Sequence, residues 1–141
     1  MSRETFLVAY DGKDRSPVDV AAAWAKKQGA RLVIVHVLEW SPYTFLTPEE
    51  LAARHKHRQE EIERATGAVL RPILDYSRQK GVEVEGELRH GNVVDTICSI
   101  ASEENASAIF CGRSGKFGTR VFGSAASGLI QSSGLPVVVI P

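Results

Sequence analysis

The sequence has little cysteine and no excess of charge. Its two cysteines, Cys98 and Cys111, stand far apart, neither in a CxxC pair and each inside an apolar stretch. Both are read as buried reduced thiols, and neither has enough ligands nearby for a zinc site. The 17 basic and 17 acidic side chains balance to a formal net charge of zero. That argues against a strong electrostatic footprint for nucleic acid or for an anionic membrane. No apolar run approaches the roughly 20 residues that cross a bilayer. The first ten residues lack the three-part layout of a secretory signal, so the chain is expected in the cytoplasm. No repeat, low-complexity tract or flexible linker divides the 141 residues, a length that suits a single domain from 1 to 141. Two familiar phosphate loops are missing as well: GxxxxGK[ST], and GxGxxG directly after the first strand. Ser114 has no His–Asp context for nucleophilic catalysis.

What is there alternates between strand-like and helix-like segments. Residues 5–10 (TFLVAY) form a short apolar run that ends at the turn signal Asp11-Gly12. Ser16-Pro17 reads as an N-cap with a first-turn proline; Val18, Ala21, Ala22 and Ala25 follow at helical spacing, and Gly29 ends that helix. Residues 31–37 (RLVIVHV) are a near-continuous apolar strand of the kind covered on both faces. Thr47-Pro48-Glu49-Glu50 is a capping box that opens a segment running to about Lys80, polar through Arg54 to Glu61 and kinked or split by Pro72. Residues 82–88 predict a third strand near an edge, and His90-Gly91 a turn. Asn92 caps a helix whose buried stripe is Val94, Ile97, Ile100 and Ala101. Residues 107–111 (SAIFC) predict a fourth strand, 112–122 a glycine-rich loop, Ser124 to Gln131 a helix, and 136–140 (PVVVI) a last strand. This alternation predicts a single-domain α/β fold with a doubly wound parallel sheet and helices on both faces.

In such sheets ligands bind beyond the carboxyl ends of the strands, where strand order reverses. Two loops there carry unusual content: Tyr10-Asp11-Gly12-Lys13, and Gly112-Arg113-Ser114-Gly115-Lys116-Phe117-Gly118. Glycines let backbone N–H groups approach an anion, and the helix opening at Gly123-Ser124 presents free N–H groups and a positive dipole end. Arg113, Lys116 and Arg120 add cations. A glycine-rich turn is equally suited to making only a tight connection. Asp11 reads either as a turn carboxylate bonding its own backbone or as an acceptor for a ribose hydroxyl or a base edge. His36 is read as a satisfied core or dimer-facing histidine, and His55 and His57 as part of a solvated helix face.

The opening strand-Asp-Gly, the "HV" ending of strand two, and the closing strand-Gly-x-x-Gly…Gly-Ser-helix-Pro-Val-Val-Val resemble a universal stress protein, across Phe6 to Ile140. The resemblance implies a five-stranded sheet in the order 3-2-1-4-5, a homodimer and, in one branch of the family, bound ATP, with Mg a candidate companion. Carried over, Gly112 and Gly115 would cradle phosphates, with Arg113 between them, and Gly123, Ser124 and Ala125 would stand at the helix start. Asp11 would face the ribose or adenine, Val37 would offer backbone bonds to adenine, and Ala9, Tyr10 and Cys111 would complete the site. The branch's pattern places nine residues between the second and third glycines; here seven separate Gly115 from Gly123. The HIGH and SGGxDS motifs of folds that activate carboxylates with ATP are absent, which favours a binding module. The expectation is therefore an ATP-binding, homodimeric stress-response protein, paired through its last strand Val137–Ile140 and acting on an unknown protein partner. A dimeric scaffold without nucleotide, and a slow ATP hydrolase, are the alternatives.

Overall fold

In the computed structural model, which describes residues 3–39, 47–113 and 124–141, five parallel strands lie side by side in one sheet. They are β1 (Thr5–Ala9), β2 (Arg31–Glu39), β3 (Val84–Gly91), β4 (Ala108–Gly112) and β5 (Val137–Ile140), in the order β3-β2-β1-β4-β5. The apolar runs explain the arrangement. Leu32, Val33, Ile34 and Val35 of β2 are each at most 1% exposed, so the strand is covered on both faces. Alternate residues feed two cores. Phe6, Val8, Leu32 and Ile34 pack with Val18, Ala21 and Ala25 of α1 (Ser16–Gln28). Leu7, Val33, Val35 and Ile109 pack with Ile97 and Ile100 of α4 (Val93–Glu103) and Leu129 of α5 (Ser124–Ser132). Each large apolar side chain so buried contributes about 1.5–3 kcal/mol.

Several local expectations change. Arg15, not Ser16, is the N-cap of α1, with no side-chain cap; Asp14 Oδ1 instead accepts from the Ser16 N–H at 2.9 Å. Thr47 does cap α2 (Pro48–Ala65), accepting from the Glu50 N–H at 3.1 Å, and α2 buries none of its residues. The split attributed to Pro72 takes the form of a π-helical turn, Thr66–Leu70, before α3 (Arg71–Arg78). The Arg71 N–H reaches back to Thr66 O, one residue further than in an α-helix. That wider turn accommodates a proline that has no N–H and would crowd the carbonyl of the preceding turn.

β3 is an edge strand as expected, but His90-Gly91 belongs to it rather than to a turn. Its pairing with β2 continues to Glu39↔Gly91, because β2 itself runs two residues beyond Val37. Asn92 then caps α4, accepting from the Asp95 N–H at 3.0 Å. Cys111 is buried, whereas Cys98 is only partly so. At Gly128 α5 passes close to α4: a Cβ there would lie 2.6 Å from Val94 Cγ2.

Candidate functional site

β1 is the centre of the sheet: from it the chain runs outward on one side to β2 and β3, then crosses back to β4 and β5 on the other. The crevice expected beyond such a switch point is present as a cavity of about 370 Å³. The β1 exit contributes Ala9, Tyr10, Asp11 and Asp14, and α1 contributes Pro17. The last five residues of β2, Val35 to Glu39, form a second wall; Val93 and Ile97 of α4, Cys111 and Gly112 of β4, and Ala125 of α5 close the rest.

The β1 exit is tightly held. Tyr10 N–H donates to Val35 O at 2.9 Å, the last backbone bond of the β1–β2 ladder. Asp11 Oδ1 accepts from the N–H groups of Lys13 and Asp14 at 2.8 and 2.9 Å, the turn role considered for it. Gly12 sits at φ +93°, a conformation other residues rarely adopt, and a Cβ there would meet His36 Cε1 at 3.2 Å. His36 Nδ1 lies 2.9 Å from Tyr10 O. A carbonyl only accepts, so Nδ1 carries the proton.

Burial pushes the Tyr10 hydroxyl above its ordinary range, opposed in part by nearby Arg15. Burial pushes the Cys111 thiol up to about 11, so it is a neutral wall rather than a nucleophile. Asp11, Asp14 and Glu39 give this end of the cavity an acidic lining. Among the described residues no three His, Cys, Asp or Glu side chains form a group that could hold a metal ion, and no helix is long and apolar enough to cross a membrane.

Of the residues singled out in the sequence, Ala9, Tyr10, Asp11, Val37, Cys111, Gly112 and Ala125 come together around this cavity. Arg113 follows β4, exposed, its N–H bonded to Ile140 O at 2.8 Å rather than lining the cavity. Ser124 opens α5. Gly115 and Gly123 lie outside the described residues, as do Lys116, Gly118 and Arg120. Gly112 is the last residue of β4, not loop; a Cβ there would touch only Pro17 Cγ, at 3.8 Å. Sequence reading missed Leu38 and Glu39, because it ended β2 at Val37, and read His36 as a core or dimer-facing histidine rather than as a residue of the cavity wall. It also missed Asp14 and Pro17, whose signal was their place directly behind Asp11-Gly12.

The model of the universal stress protein family matches residues 2–141. Among solved structures, universal stress protein UspA from Lactobacillus plantarum is similar at 23% identity over 100% of both chains, with a TM-score of 0.84. A universal stress protein from Archaeoglobus fulgidus, solved in complex with dAMP, is 26% identical over 100% of both chains, with a TM-score of 0.64. A universal stress protein in complex with cAMP is 22% identical over 100% of this chain and 98% of its own, with a TM-score of 0.70. A search of curated proteins finds no match.

Proposed function

The chain belongs to the universal stress protein family, and from that premise we propose that it is a stress-response protein whose switch-point cavity binds an adenine nucleotide, ATP by preference. The position of the cavity carries this reading. It lies beyond the ends of β1 and β4 and is lined by Val37, Asp11 and, at the start of α5, Ala125. The base would lie against Val37, with Asp11 toward the ribose. The phosphates would extend past Gly112 toward the N-terminus of α5, where free N–H groups favour negative charge. Relatives solved with dAMP and cAMP support the same chemistry. Any Mg would travel with the phosphates. The protein would couple nucleotide occupancy to its conformation or to a protein partner, as a homodimer paired through β5.

Gly112→Val tests the site. Its Cβ has room in the fold, while the larger side chain would fill the proposed phosphate path. Nucleotide released from the denatured wild-type protein and identified by mass should be absent from this variant at unchanged melting temperature. Full nucleotide content in the variant would contradict the site. The shortened Gly115–Gly123 spacing favours a second reading, a dimeric scaffold without nucleotide. It predicts that neither protein releases any.

A further inference from the structure

We propose that His36 is a positioning residue of this cavity, taking the Tyr10 carbonyl with its Nδ1–H and thereby leaving the Val37 backbone open to the ligand; the ligand part of this inference rests on the nucleotide reading above. Backbone groups of β2 alternate in direction. Arg31 N–H reaches Glu4 O on the β1 side, and Leu32 N–H reaches Glu83 O on the β3 side. Odd-numbered residues therefore face β1, and Val35 O accordingly accepts from Tyr10 N–H. Val37 is the next odd residue, so both its N–H and its C=O face the end of β1.

In an uninterrupted parallel ladder the Val37 N–H would donate to Tyr10 O. Among the described residues no such bond is made, and the β1–β2 register stops at Ala9↔Val35. Tyr10 O accepts instead from His36 Nδ1 at 2.9 Å. The side chain has replaced its neighbour's backbone donor. Gly12 completes the fit: with no Cβ, it leaves room for the imidazole edge that a side chain would crowd at 3.2 Å. The Gly12 position lies close to both the ring edge and Val69 of the π-helical turn, 3.2 and 3.6 Å from where a Cβ would stand, and the β1–β2 register ends where the cavity opens. An edge-on donor and acceptor from one residue, Val37, suits a heteroaromatic base that offers the complementary pair.

Two substitutions separate position from bulk. In His36→Asn the side-chain amide nitrogen can stand where Nδ1 stands; in His36→Phe no donor remains. With ATP and AMP as probes, calorimetric titration of the full chain should show His36→Asn within about threefold of wild type, and His36→Phe weaker by about tenfold for both nucleotides, the size of one lost hydrogen bond. Amide exchange without nucleotide provides an independent readout. The Val37 N–H should exchange fast in wild type and at least about tenfold more slowly in His36→Phe, where it can recover Tyr10 O. Slow exchange of Val37 in wild type, or equal losses of affinity in both variants, would overturn the role given to His36. If wild type binds neither probe, the nucleotide reading falls, and the exchange measurement alone decides on His36.

Discussion

At the β1 exit, three neighbouring residues each do a different job. Asp11 gathers two N–H groups on one oxygen, Gly12 supplies a positive φ, and Tyr10 offers its carbonyl to His36. Asp11→Ala should therefore cost about 1 kcal/mol in urea unfolding, and Asp11→Asn, which keeps an acceptor, much less. Gly12→Ala should cost about 1–2 kcal/mol from its backbone conformation alone, before the approach to His36 is counted. Cys111 makes a pH prediction. Its thiol titrates near 11 in the folded chain against 9.0 for a free one. The folded state thus holds the proton more tightly, so stability is intact below pH 9 and is lost as pH rises toward 11. Urea midpoints across that range should fall for wild type and fall less for Cys111→Ala relative to its own neutral value. Equal slopes would show that Cys111 has no part in the decline.

At the scale of elements, α4, like α2, starts on a side-chain cap. Asn92→Ala removes the acceptor for the Asp95 N–H and should destabilise by about 1 kcal/mol, read as a lower melting temperature. Gly128→Ala should be costly for another reason, since its methyl would press against Val94 Cγ2 unless α5 shifts. These elements were legible in the sequence because their signals are local: apolar runs for strands, Asn92 for a cap, Gly29 for a helix end. The misreadings at β3 and His36 share a cause that is not local. β3 extends through His90-Gly91 because β2 offers it a longer partner; the start of α1 at Arg15 is the exception, a local competition in which Asp14 takes the Ser16 N–H. His36, read as a satisfied core or dimer-facing histidine, is partly buried, and its role as donor to Tyr10 was not readable because the two residues are 26 positions apart.

For the whole molecule, the strand order brings the Asp11 turn and the end of β4, Cys111 and Gly112, to one crevice. Alternation alone predicted a parallel sheet; which strands flank β1 came only with the family resemblance. The opposite edge bears on assembly. Pro136 O and Ile140 O accept from β4, so the backbone groups of Val137 and Val139 point away from the sheet. An unpaired edge of this kind invites a second copy. Val139→Pro would remove one outward N–H without touching the β4 ladder. Sedimentation should show a dimer for wild type and a folded monomer for the variant, and an unchanged dimer in the variant would place the interface elsewhere. The central claim is the cavity itself. It is tested most directly by amide chemical shifts of the full chain during titration with AMP and then ATP. Saturable changes should centre on Ala9, Tyr10, Val37, Gly112 and Ala125, the residues around the β1–β4 switch point. No saturable change with either nucleotide, or changes confined to α2 and the β5 edge, would contradict it.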